Sequence, residues 1–151
     1  MASTITVDLS GLADRLRRMA AGATRRLNLQ GATRPVALYL AAQAKRCFVE
    51  GKAPDGTPWA PLKNPSKRRG GASAKPLRDT GALMASLGSG QGNVRVGTAH
   101  GLLFGTNVSY AGFHQEGTRQ IPARPFLGVT PARESRIAEI VLEWVQKRLL
   151  G

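Results

Sequence analysis

The segment QGNVRVGTAHGLLF, from Gln91 to Phe104, decides the fold. It opens on a Gln-Gly-Asn turn signal, after which Val94 and Val96 alternate with other residues as in a strand with one buried face. A second glycine-rich turn leads to the apolar run from Leu102 to Phe104. We predict two neighbouring antiparallel strands here, and therefore an antiparallel sheet at the centre of the fold.

Helical patterns fill the region before this sheet. A short edge strand at Thr4 to Val7 is followed by the N-cap candidate Asp8, and a second helix restarts at Thr33 after Gly31. Apolar residues recur at spacings of three and four on each helix, which indicates one buried face apiece. The two stripes are Leu9, Leu12, Leu16, Met19, Ala23 and Leu27, then Val36, Tyr39, Leu40, Ala44, Cys47 and Phe48.

A last strand and a last helix are predicted at the C-terminal end. Phe126 to Val129 is a short apolar run, and Thr130 then caps a helix with Pro131 at its first position. The apolar face of that helix is wider than the roughly 100° that one core requires. We expect part of it to pack on the sheet and part to meet a neighbouring subunit. Its members are Ile137, Ile140, Val141, Trp144, Val145 and Leu149.

Loops separate the first helices from the sheet. Gly51 to Leu62 is rich in turns, with Trp59 as a packing anchor, and residues 63–76 read as a flexible basic loop. Leu77 to Leu87 could start as a short helix at Asp79 or Thr80 and continue into a strand, and periodicity does not decide this. The fold class is therefore α+β in a single domain, 1–151, with N-terminal helices, a small antiparallel sheet and a C-terminal amphipathic helix.

Charge is the most unusual bulk property of the chain. Lys and Arg number 22 against 9 Asp and Glu, a formal net charge of +13, and the stretch from Lys63 to Arg78 contains no acid. Such an imbalance predicts an anionic partner or neutralising neighbours. Lys67, Arg68 and Arg69 could contact DNA phosphates or line a lumen, or could form a solvated linker. Any contact with DNA would be with the charged phosphate backbone, without sequence-specific recognition of the bases.

Signatures of catalysis and of cofactor binding are absent from the sequence. It has no phosphate-binding loop, zinc-protease or nucleophile-elbow motif, and His100 and His114 lack companions for a metal site. Asp55 and Asp79 stand in turn contexts. We expect no enzyme, no cofactor and no metal. The single cysteine fits folding in a reducing cytoplasm, and no apolar run is long enough to cross a membrane.

Four sequence blocks occur in a fixed order along the chain. They comprise Pro54, Gly56, Trp59, Pro61 and Leu62; Leu77, Thr80, Gly81 and Leu83; Tyr110, Ala111, His114, Gln115 and Gly117; and the run from Ile121 to Gly128. This ordered set resembles the phage virion morphogenesis family, the tail-completion proteins of contractile-tailed and Mu-like phages. Two features depart from the family pattern: Glu116 stands where an apolar residue is common, and Ala99 to Leu103 lengthens the hairpin.

The resemblance implies a structural virion protein that completes the tail or joins it to the head. Such a protein would be assembled in the host cytoplasm and would form a homo-oligomeric ring, hexameric by the symmetry of such tails, at the neck or the top of the tail. Its partners would be its own copies, neighbouring connector and tail proteins, and packaged DNA. Tail terminator and neck adaptor both remain open. The alternative function is a basic protein that binds nucleic acid non-specifically.

The third and fourth blocks contain the candidate interaction residues. Prolines and a glycine restrict the backbone on both sides of Arg124, and a fixed backbone presents its guanidinium in a defined direction. Arg124 either bridges subunits or pins its own loop. Tyr110, His114 and Gln115 have polar ends suited to a half-buried turn or to a subunit contact. With Trp144, they are the predicted interface or structural residues.

Overall fold

The computed structural model describes residues 2–19, 28–68 and 70–150. Its strands and helices are, in chain order, β1 (Ser3–Asp8), α1 (Ser10–Met19), α2 (Thr33–Glu50), α3 (Ala82–Ser86), β2 (Asn93–Gly97), β3 (Gly101–Thr106), α4 (Ala111–Glu116) and α5 (Pro131–Leu150). Short 3-10 turns lie at Gln30–Ala32, Pro65–Lys67 and Gly71–Ser73. The predicted α+β class is confirmed.

The sheet has three antiparallel strands in the order β1-β3-β2. Phe104 at the centre of β3 pairs with Ile5 on one side and with Arg95 on the other. The turn between β2 and β3 is held by Thr98, whose hydroxyl accepts the N–H groups of His100 and Gly101. The edge position of β1 and the antiparallel pairing of β2 with β3 were both predicted correctly.

The core lies between the sheet and the two long helices, α2 and α5. Five of the six residues predicted for the second helix stripe are buried, and Tyr39 packs at its margin. Helix α5 crosses α2 and buries Ile137, Val141 and Val145. Ala23 and Leu27 of the first predicted stripe lie outside the described residues, as do the side chains of Leu16, Met19 and Leu149.

Side-chain caps begin α1 and α5 where the sequence predicted them. Asp8 accepts the N–H of Ser10 at 2.8 Å, and hydrogen bonds from Ser10 lower the pKa of the Asp8 carboxyl. Thr130 accepts the N–H of Arg133 at 3.3 Å, with Pro131 as the first residue of α5. Both helices thus start with one otherwise unpaired amide satisfied.

The prediction of a strand at Phe126 to Val129 was wrong. This segment has no regular secondary structure and pairs with no strand among the described residues, because the side chain of Gln115 binds its backbone instead. Leu77 to Leu87 contains helix α3 and no strand. Residues 63–76 include two of the 3-10 turns, and the flexibility of that loop stays a prediction.

Candidate interaction site

The loop of the first block and the segment of the fourth block are fastened together by hydrogen bonds. The indole Nε1 of Trp59 donates to the carbonyl of Pro125 at 2.8 Å. Arg124 donates from Nε to the carbonyl of Ala60 at 2.8 Å and from Nη2 to that of Pro61 at 3.1 Å. Two blocks that are more than sixty residues apart in the chain are therefore joined by three hydrogen bonds.

Close packing supports the same junction. A Cβ added at Gly128 would lie 3.0 Å from Cγ of Pro54, so the fourth block presses directly on the start of the first. Trp59 is buried and meets Phe48 of α2 edge-on, with ring centroids 5.6 Å apart. Phe126 packs on the same Phe48 ring at 5.4 Å. The junction is thereby anchored in the core, as the sequence predicted for Trp59.

Arg124 is a buried cation whose partners are carbonyl oxygens of its own chain. Its side chain is 6% exposed. Burial lowers the pKa of the Arg124 guanidinium, and the positive charge of Arg68 lowers that pKa further. Of the two roles considered, the intrachain bond that pins the loop is present. The bridge to another subunit stays a prediction.

Gln115 ties α4 to the segment that follows Pro125. Its Oε1 accepts the N–H groups of Phe126 and Leu127, each at 3.1 Å, and its Nε2 donates to the carbonyl of Leu127 at 2.8 Å. One amide side chain thus replaces a strand partner. Gln115 has a structural role within the chain, and its role as a subunit contact stays a prediction.

His114 on α4 contacts Tyr110 at the N-cap of the same helix. Their rings meet edge-on with centroids 5.9 Å apart. Nδ1 of His114 is buried and has no hydrogen-bond partner among the described residues. Burial lowers the pKa of His114, and the charges of Arg124 and Arg68 lower it further. A lowered pKa favours the neutral form of the ring.

Two large apolar side chains of α4 and its N-cap are exposed. Tyr110 is 41% exposed, and Phe113, three residues further on, is 45% exposed. A spacing of three places them on one side of the helix. Phe113 was missed by sequence reasoning. The sequence signal for Phe113 was its spacing of three residues from Tyr110. A helix as short as α4 cannot bury both of these aromatic side chains.

A cleft of about 1090 Å³ opens beside this junction. The first three blocks and the start of the fourth contribute walls, and His114, Arg124 and Tyr110 line it. At its rim Leu77 has a φ of 60°, a left-handed conformation that is costly for a residue with a branched side chain. The four sequence blocks therefore converge on a single concave surface.

The other predicted residues are dispersed. Arg68 lines the cleft, Lys67 is exposed outside its lining, and Arg69 lies outside the described residues. Trp144 is half-buried on α5, where its ring lies so close to Gly31 that an added Cβ would be 2.6 Å from Cζ2. The guanidinium of Arg148 lies 5.4 Å from the Trp144 ring. The chain's own contacts therefore cover part of this indole, and its interface role stays a prediction.

Sequence reasoning also missed two arginines that bind backbone carbonyls. Arg133 at the start of α5 is buried and donates to the carbonyl of Gly128 at 2.8 Å. Arg95 on β2 donates to the carbonyl of Gly88 at 2.6 Å. Both resemble Arg124 in using a cation to hold a loop. Periodicity cannot reveal this use, because the partners are backbone atoms.

Across residues 2–19, 28–68 and 70–150, no group of three or more His, Cys, Asp or Glu side chains could hold a metal ion. Among the described helices, none is long and apolar enough to span a membrane.

The sequence model of the phage virion morphogenesis family matches residues 7–146. The chain belongs to this family. One similar protein is the Mu-like prophage FluMu G protein 1 of Haemophilus influenzae. It is 35% identical over 114 residues, which is 72% of this chain and 74% of the relative. The FluMu G protein 2 of the same organism is 40% identical over 78 residues, or 47% of this chain and 52% of that relative. No solved structure matches the chain.

Proposed function

We propose that this chain is a subunit of a homo-oligomeric ring that completes the phage tail or joins it to the head. Membership of the virion morphogenesis family supports a role in building the particle. The observation that favours assembly is the exposure of Tyr110 and Phe113 beside the junction of the first and fourth blocks. A ring closes when one surface of each copy meets a different surface of the next.

The hydrogen bonds of the site support a protein that holds shape. Arg124, which is buried, and Gln115, which is half-buried, both bind backbone atoms. Burial lowers the pKa of the nearby His114, and the charges of Arg124 and Arg68 lower it further.

The mass of the purified protein tests the proposal. Native mass spectrometry or light scattering should find a closed oligomer, and Phe113→Ser should shift it towards monomer without loss of helical signal by circular dichroism. Leu38→Ser is the matched control, because Leu38 is 56% exposed on α2, outside the four blocks. A wild-type monomer at all concentrations, and in the presence of tail components, would contradict the proposal.

Non-specific nucleic-acid binding is the second candidate, favoured by the net charge of +13. Phosphate contacts weaken steeply as salt is raised. Changing Lys67, Arg68 and Arg69 together to Ser should spare the fold, because the first two are exposed. Retention on DNA that these changes and moderate salt both abolish, together with absence of the protein from purified particles, would favour this candidate over the ring.

A further inference from the structure

The cleft beside α4 has a chemistry that the ring does not explain. Its volume of about 1090 Å³ stands at the upper limit of small-molecule pockets, which usually measure about 300–1,000 Å³. The cationic side chains that line it are Lys63, Arg68, Lys75, Arg119 and Arg124. Asp79 is the one carboxylate among the described residues of its lining. The occupant should therefore be anionic.

Between these cations the lining is partly aliphatic. Leu62, Leu77, Leu83 and Ile121 are among the lining residues, together with prolines of the first and fourth blocks. Its uncharged polar residues include Asn64, Thr80, Thr118 and Gln120. A phosphate backbone would gain nothing from the aliphatic part of these walls. Stacking of bases needs exposed aromatic faces, and the cleft offers only the edge-on pair of Tyr110 and His114. A chain that carries both carboxylates and aliphatic groups matches the walls better.

A second copy of the chain does not supply such a segment. Its nine acidic residues are scattered, and the two closest in sequence, Glu139 and Glu143, both contact Arg136. Glu50 is paired with Arg46 on α2. The occupant is therefore a different protein.

We propose that the cleft binds an extended acidic segment of another virion protein, in which carboxylates alternate with aliphatic side chains. Assigning the partner to the virion rests on the proposed function, whereas the chemistry of the segment rests on the cleft. Carboxylates would meet the exposed guanidinium groups of Arg68 and Arg119 and the ammonium of Lys75, which have the freedom to close on a ligand. The buried guanidinium of Arg124 would fix the floor of the cleft.

Binding of a model peptide tests this directly. The probe is a fluorescein-labelled peptide in which Glu and Asp alternate with Leu, titrated by fluorescence anisotropy at low salt. Its counterpart with Gln and Asn in place of the acids, and a single-stranded oligonucleotide of equal charge, are the competing ligands. We expect the acidic peptide to bind and the neutral one to fail.

Matched variants locate the site. Changing Arg68, Lys75 and Arg119 together to Ser should weaken peptide binding about tenfold or more, because rim and cleft charges control such encounters. Changing Arg34, Lys45 and Lys147 together to Ser removes the same charge from exposed positions outside the lining and should leave binding within about twofold. The single change Arg119→Glu serves if the triple variant folds poorly, and it should weaken binding as well.

Three results would overturn the proposal: no binding of the acidic peptide, equal loss in both triple variants, or tighter binding of the oligonucleotide at the same residues. The last would make the cleft a single-strand site. The mass of the oligomer is measured on the same samples. A protein that binds the peptide but stays monomeric would contradict the ring and leave the cleft assignment intact. A protein that forms the ring but does not bind the peptide would contradict the cleft assignment and leave the ring intact.

Discussion

Replacing Gln115 with Ala removes the amide that holds the chain after Pro125. Three hydrogen bonds disappear, at about 1 kcal/mol net each, and the backbone groups of buried Phe126 and Leu127 lose their partners. Gln115 itself is half-buried, so water can reach part of the gap and limit the penalty. We expect the free energy of unfolding to fall by about 3 kcal/mol.

Urea denaturation followed by circular dichroism measures this loss. With a slope of about 2 kcal/mol per molar urea, the midpoint should fall by about 1.5 M. Gln115→Glu should be intermediate, because a carboxylate still accepts the two N–H groups but cannot donate to the carbonyl of Leu127. Gln146→Ala, exposed on α5, is the control and should stay within about 0.5 kcal/mol of wild type. A Gln115→Ala midpoint as high as that of the control would refute the role assigned to this side chain.

Three further changes test other parts of the account. Gly31→Ala should destabilise the fold by about 1–3 kcal/mol in urea denaturation, since its Cβ meets the ring of Trp144, whereas Gly11→Ala has open space and should be neutral or slightly stabilising. Burial is the largest cause of the lowered pKa of His114, followed by the charges of Arg124 and Arg68. Arg68→Ser should therefore raise that pKa only a little in an NMR titration, and an unchanged pKa would mean that Arg68 does not act on His114 in solution. Because the folded pKa of His114 is depressed, its contribution to stability is complete above 6.5 and is lost as pH falls through the folded pKa. Trp144→Asp should lower the melting temperature or prevent ring formation, and a stable variant that still forms the oligomer would remove this indole from the interface.

The parts of the fold that the sequence predicted correctly are those set by residues close together in the chain, such as an apolar stripe or a helix cap. The stripe on α2, the caps at Asp8 and Thr130, and the pairing of β2 with β3 all arise within a few residues. The pairing of β1 with β3 joins residues far apart in the chain. The alternating residues at the N-terminus nevertheless predicted a short edge strand. These elements bury apolar faces, and burial leaves a periodic trace in the sequence.

The strand predicted at Phe126 failed for a reason that no local pattern contains. An apolar run beside prolines reads as a strand, yet its hydrogen bonds go to a side chain eleven residues earlier, at Gln115. Arg124 likewise binds carbonyls more than sixty residues away. The family blocks marked both residues as important, but only their contacts distinguish a clamp within one chain from a bridge between two.

Electron microscopy of the intact particle, at a resolution that traces side chains, tests the central claim most directly. We expect several copies of this chain in a closed ring at the head–tail junction, with Phe113 covered by the next copy. Particles that lack the chain, or that carry it as isolated copies away from the tail, would contradict it.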